Sequence, residues 1–263
     1  MPERIRLAVA VLLLAAGSAE AADLRIAAAS DLRFAMDEIL ADFREAYPEH
    51  EVEVIYGSSG QFRAQIANGA PYDLFFSADV AYPEALRQEG LVHGELMPYA
   101  LGRVVIWSNT VDASQLRLED LADGDRFDRV AIANPSHAPY GARAEEALRS
   151  AGAWEAVQPR LVLGENIAHT LQMIQSGAAE VGIVALSLAL SPRVAEQGDH
   201  HLIDSERHEP LEQAFVVTER GADNQAAHAL ARYMYEPGSR EIMEAYGFVL
   251  PEEREIPLDA LDQ

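Results

Sequence analysis

The stretch Leu24-Arg25-Ile26-Ala27-Ala28-Ala29-Ser30-Asp31-Leu32-Arg33-Phe34-Ala35-Met36 decides the fold class. It begins as a short apolar run of strand length. After Ser30, the residues Leu32, Ala35, Met36, Ile39, Leu40 and Phe43 recur at spacings of three and four, the period of one helix face. A buried strand running straight into an amphipathic helix is the opening half of a βαβ unit. Pro48 ends the helix, and Val52, Val54 and Tyr56 alternate as a second strand.

The pattern continues outward from there. Gly57-Ser58-Ser59-Gly60 turns the chain into a short helix with Phe62, Ile66 and Ala67, which stops at Asn68-Gly69. Residues 73–76 read as a third strand, followed by a helix with Tyr82 and Leu86 that stops at Gly90. Residues 101–107 form a long apolar strand that leaves this unit. After a polar stretch at 109–128 the alternation restarts, with strands at 130–133, 161–163 and 181–185 and helices at 141–150 and 166–175. A second long strand at 211–217 precedes two helices, at 226–235 and 239–246, that have no strands of their own and must pack back on an existing sheet. The expected architecture is therefore α/β and two-lobed, each lobe a mainly parallel sheet flanked by helices. Lobe 1 is residues 22–103 with 216–263 and lobe 2 is residues 104–215, joined by a two-strand hinge at 101–107 and 211–217.

Before Asp23 the chain reads as an export signal. Arg4 and Arg6 precede an apolar run at 7–16, too short to span a bilayer, and small residues lead to Ala19-Glu20-Ala21. Residues 1–21 are expected to be removed. The sequence contains no cysteine, which excludes disulfides, thiolate metal sites, cysteine nucleophiles and a lipid-modified N-terminal cysteine. A free periplasmic protein without direct membrane insertion is the expectation.

Acidic residues number 43 against 20 basic ones, all arginine, for a net charge of −23. Such a surface repels nucleic acid and anionic lipid, whose recognition depends on neutralising phosphates with basic side chains.

In open parallel sheets, ligands bind beyond the carboxyl ends of the strands, where loops lead into helix N-termini. The residues there are Ser30-Asp31, Ser58-Ser59-Gly60, Pro139-Tyr140-Gly141, Glu165-Asn166-Ile167 and Ala185-Leu186-Ser187. Most offer hydroxyls or backbone N–H groups, and a helix N-terminus with unpaired N–H donors suits an anion. Taken singly, each serine reads as an ordinary N-cap rather than a ligand contact; repetition at successive strand ends shifts the reading towards a clamp of neutral dipoles. Arg33, Arg63 and Arg143 lie near these turns, at positions expected to face water, and receive no ligand role.

Catalytic readings are weak. Gly57-Ser58-Ser59-Gly60 departs from a nucleophile elbow because position 61 is Gln, and no histidine and acid follow in a persuasive order. Asp199, His200, His201, Asp204 and His208 read better as a polar loop than as a zinc site. Glu165 beside Asn166 fits a helix start rather than a general base.

Four longer stretches occur in order: Ala27-Ala28-Ala29-Ser30-Asp31-Leu32, Tyr56-Gly57-Ser58-Ser59-Gly60, residues 69–79 from Gly69-Ala70-Pro71 to Ser77-Ala78-Asp79, and Glu180-Val181-Gly182-Ile183-Val184-Ala185-Leu186-Ser187. With the closing Tyr246-Gly247-Phe248, they resemble landmarks of the periplasmic molybdate-binding proteins of ABC importers across nearly the whole chain. The resemblance implies a type II periplasmic binding fold without catalysis or cofactor, and a molybdate or tungstate dianion held by uncharged donors. It also implies a cognate permease and ATPase as partners; the protein is expected to be monomeric. Carried over residue by residue, Ser30 matches the serine or threonine after the first strand, and Ser59 the serine of the second turn. Tyr140 falls where the family has a small residue or tyrosine, and Ile167 where a valine gives its backbone N–H.

Two positions depart from the family. Asp31 stands where leucine or asparagine is more usual. Because an inward carboxylate would repel a dianion, it is expected to face out and offer only its N–H. Turned inward it would instead suit a protonated oxyanion such as phosphate. Ala185 occupies the place of a tyrosine that contacts the anion in some members, and Tyr140 is expected to supply the missing hydroxyl.

Overall fold

The computed structural model describes residues 23–252 and Pro257, so the export signal read at 1–21 lies outside the described residues. The chain enters through β1 (Leu24–Ala29), a 3-10 turn at Ser30–Leu32 and α1 (Arg33–Ala46). There follow β2 (Val52–Gly57), α2 (Ser59–Ala67), β3 (Leu74–Ser77), α3 (Ala81–Gln88) and the long β4 (Val92–Gly102). β1 lies between β2 and β3, parallel to both. Its alternation sorts its side chains between two cores. Ile26 and Ala28 pack with Met36, Ile39, Leu40 and Phe43 of α1, whereas Ala27 packs with Phe62, Phe75 and Val216. A strand buried on both faces reads as continuously apolar, which is why the opening stretch is legible. Each buried Leu, Ile, Met or Phe contributes roughly 1.5–3 kcal/mol.

The second half carries β5 (Val104–Ser108), β6 (Val130–Ala133), α4 (Pro139–Ser150), α5 (Trp154–Val157), β7 (Leu161–Gly164) and α6 (Ile167–Gln175). β8 (Val181–Ala185), α7 (Leu186–Ala189) and β9 (Asp199–Leu202) complete it. β10 (Leu211–Thr218) returns to the first sheet, and α8 (Gln225–Tyr233) and α9 (Pro237–Ala245) pack on that same lobe through Ala227, Leu230 and Met243. The two five-stranded sheets run β2-β1-β3-β10-β4 and β7-β6-β8-β5-β9.

Each sheet has a parallel half, as the βαβ pattern requires, and an antiparallel half: β10 opposes β3 and β4, and β5 opposes β8 and β9. β9 was expected to be a polar loop. As an edge strand of Asp199, His200, His201 and Leu202 it lacks the apolar signature that identifies a central one. The hinge also differs from the expectation. The 101–107 run is two strands, β4 ending at Gly102 and β5 starting at Val104, so the chain changes sheets around Arg103. β10 belongs to the first sheet from Leu211, which pairs with Gly102, so the second crossing precedes Leu211 and residues 211–215 lie in lobe 1.

Candidate anion-binding cleft

The carboxyl ends of β1 and β2 face those of β6 and β7 across a closed cleft. Its lining includes Ser30, Asp31, Ser59, Ala138, Tyr140 and Ile167, with no arginine or histidine. The cavity volume there is about 10 Å3, about one small sphere and far below the roughly 300–1,000 Å3 typical of pockets for drug-sized ligands. A larger open groove on lobe 2, lined by Arg103, Arg117, His201 and Arg207, takes its walls from one lobe only and stands away from these strand ends.

Neither serine caps its own helix. Ser30 Oγ donates to Asn166 Oδ1 at 3.0 Å and accepts the Ala168 N–H at 3.2 Å, both across the cleft. Ser59 Oγ accepts the Ala78 N–H at 3.0 Å, leaving its own proton free to donate. Asn166 is the true N-cap of α6, accepting from His169 N–H at 3.0 Å. That leaves Ile167 in the first turn, where backbone N–H groups have no intrahelical acceptor. Ser59 Oγ–H and Ile167 N–H thus offer donors from opposite lobes.

Asp31 corrects the sequence expectation. Instead of facing water it is 1% exposed, with Oδ2 accepting from Tyr140 Oη at 2.9 Å and from Gln213 Nε2 at 2.8 Å. Gln213 Nε2 also donates to Tyr140 Oη at 3.2 Å. One member of this cluster comes from the β1 end, one from α4 and one from the return strand, so it sits where the lobes join. A Cβ on Gly102 would run into both Tyr140 Oη and Gln213 Nε2. Burial pushes the Asp31 carboxyl up to about 6, against the lowering effect of the Gln213 and Tyr140 hydrogen bonds and the nearby backbone N–H groups. Burial likewise raises the Tyr140 hydroxyl well above the usual phenol range, reinforced by the neighbouring carboxyl.

Two further site expectations change. The single proton of the Tyr140 hydroxyl is committed to Asp31 rather than offered to the cleft. Ala185 ends β8 fully buried and is not among the cleft-lining residues; Ser187, two residues on, donates its Oγ–H to the Asp31 carbonyl at 2.8 Å. Arg143 does not point into water either: it crosses to Asp79 at 3.2 Å and also pairs with Glu146. Arg63 pairs with Glu89. No group of three or more His, Asp or Glu side chains that could hold a metal ion occurs among the described residues.

The cleft mouth is fastened by contacts that the strand-end reading did not find. Ser58 Oγ lies 2.7 Å from His137 O and 2.8 Å from His137 Nδ1, and Gly60 N–H donates to His137 O at 3.0 Å. Gln213 did leave a trace in the sequence. By strand alternation it shares a face with Leu211 and Phe215, and a lone amide on a buried face needs a partner. His137 left none, because its contacts exist only when the lobes meet.

Comparison with known proteins agrees with this geometry. The profile of the family described as Bacterial extracellular solute-binding protein matches residues 24–249. The molybdate-binding protein ModA of Azotobacter vinelandii is 37% identical over 241 residues, 90% of this chain and 94% of the relative. That of Rhodobacter capsulatus is 34% identical, covering 94% and 98%. Among solved structures, the periplasmic molybdate-binding protein of Azotobacter vinelandii superimposes with a TM-score of 0.81 at 31% identity, over 87% of this chain and 100% of that one.

Proposed function

Since the chain belongs to the bacterial extracellular solute-binding proteins, within the molybdate-binding group, we propose that it captures molybdate in the interlobe cleft and delivers it to an ABC importer. The observation that carries this reading is the donor set. Ser59 Oγ–H from lobe 1 and Ile167 N–H from lobe 2 meet at a space the size of a small ion, without a cation. Preorganised neutral donors can hold a dianion because each hydrogen bond to a charged group contributes about 1.5–3 kcal/mol. The relatives carry the choice of anion, being named as molybdate-binding proteins. Tungstate, with nearly the same size and charge, is expected to bind as well. The reading extends to export through residues 1–21, residence in the periplasm, action as a monomer and docking on a permease with its ATPase. No helix among the described residues is long and apolar enough to cross a membrane.

A protonated oxyanion such as hydrogen phosphate is the second reading, favoured by one observation: the inward Asp31, whose Oδ1 is buried without a donor. Isothermal titration of residues 22–263 with molybdate, tungstate, sulfate and phosphate decides between them. Heat from molybdate and tungstate alone is the expected result; heat from phosphate alone would replace the first reading with the second. In the same assay Ser59→Ala should weaken molybdate about 100-fold, because it removes one hydrogen bond to a charged ligand. Unchanged affinity would remove Ser59 from the site.

A further inference from the structure

The cluster of Asp31, Tyr140 and Gln213 is buried where the lobes join and holds two acceptor oxygens without a hydrogen-bond partner. Its donors are the Tyr140 hydroxyl and the Gln213 amide, all pointed at Asp31 Oδ2 and Tyr140 Oη. Asp31 Oδ1 and Gln213 Oε1 are buried and accept nothing. Native interiors leave few acceptors in this state. Tyr140 lines the cleft, yet its hydroxyl has one proton, and that proton serves Asp31.

We propose that Asp31 is a positioning residue that takes up one proton from solvent as the oxyanion enters, reversing its hydrogen bond with Tyr140 so that the Tyr140 hydroxyl donates to the anion. This rests on the oxyanion-binding reading above. The protonated carboxyl donates through Oδ2 to Tyr140 Oη, while Gln213 continues to hold the same two atoms. No covalent bond other than the new O–H forms, and one positive charge enters with the dianion. The exchange also removes the repulsion that an ionised carboxylate beside a dianion would create.

The surroundings suit this exchange. The titratable groups facing Asp31 are Tyr140 on α4 and Tyr99 on β4, both raised well above the phenol range and neutral throughout. Ser187 on α7 and Gln213 on β10 do not titrate, and no charged side chain is among the causes of the Asp31 shift. Burial holds the Asp31 proton more tightly in the closed form than in water, raising the carboxyl from 3.8 to about 6. The sign follows: a group with a raised value in the closed form favours closure as pH falls, and the advantage is lost as pH rises through that value. An entering dianion raises the value further.

The test is calorimetry of residues 22–263 with sodium molybdate, between pH 8 and 6, in pairs of buffers with different ionisation enthalpies. Molybdate itself carries no proton in this range. The expected result is uptake of close to one proton per molybdate at pH 8 and an affinity that rises up to about tenfold per pH unit as pH falls from 8 to 6. Asp31→Asn supplies a permanent N–H donor to Tyr140 Oη. It should bind molybdate at pH 8 at least about tenfold more tightly than the wild type, with no proton uptake and a flat profile. Adding Tyr140→Phe to that variant should cancel the gain. Molybdate binding by the wild type without proton uptake and with a flat profile overturns the role of Asp31 and leaves the function standing. Proton uptake that persists in Asp31→Asn assigns the proton elsewhere and overturns it too. Failure of the wild type to bind molybdate at any pH overturns the functional reading and this inference with it.

Discussion

Gly60→Val is expected to weaken molybdate binding about 1,000-fold, on the order of 4 kcal/mol, while leaving the thermal unfolding of the ligand-free protein nearly unchanged. Gly60 lies in the first turn of α2, and a Cβ placed on it would be 2.7 Å from His137 O and 3.0 Å from His137 Cα. These are backbone atoms of the other lobe, so nothing flexible can move aside. The clash arises only when the lobes meet, and each lobe keeps its own core. Gly60 N–H and Ser58 Oγ also lose their acceptor at His137 O. An anion bound to one lobe keeps Ser59 but loses Ile167 and, on the inference above, the Tyr140 hydroxyl, both on lobe 2; two hydrogen bonds to a charged ligand, each about 1.5–3 kcal/mol, account for the size of the effect. Titration calorimetry gives the affinity, and small-angle scattering should show that molybdate compacts the wild type but not the variant. An affinity within a few-fold of wild type would mean that the ion is held without closure.

The second large effect concerns the return strand. Phe215→Ala should lower stability by about 4 kcal/mol and the melting temperature by on the order of 10 °C. Phe215 is fully buried on β10 between β3 and β4. Its ring stacks on Phe76 at a centroid distance of 4.7 Å and lies 5.9 Å from Tyr235 and 6.3 Å from Tyr99. Truncation removes the transfer free energy of the ring and leaves a cavity that three other rings cannot collapse to fill. Because β10 also brings Gln213 to Asp31, the loss should be felt in binding. Calorimetric melting checks it, and a shift under about 3 °C would show that this aromatic cluster is not what holds lobe 1 together.

Molybdate added in excess should raise the melting temperature of Phe215→Ala, restoring part of what the truncation lost, but should hardly move that of Gly60→Val, because a ligand stabilises only the form it binds. The pair of variants therefore separates the integrity of lobe 1 from the act of closure.

Sequence alone determined the features that are local in cause. The two βαβ sets follow from the strand-to-helix change of period in stretches such as residues 24–43. The serines at the ends of β1 and β2 and the first turn of α6 follow from where strands must present helix N-termini. A run of buried parallel strands is apolar on both faces, so its pattern survives without knowledge of its partners. The edge strand β9 and the polar length of β4 did not survive in this way, since half-exposed strands carry mixed residues. Tertiary structure alone decided what lies opposite each strand end. Ser30 meets Asn166 across 136 positions and Gln213 meets Asp31 across 182, distances over which no periodicity carries information. The inward turn of Asp31 is the clearest case. As an isolated side chain a carboxylate prefers water, and donors brought from α4 and β10, beside the backbone N–H groups of its own turn, make burial tolerable.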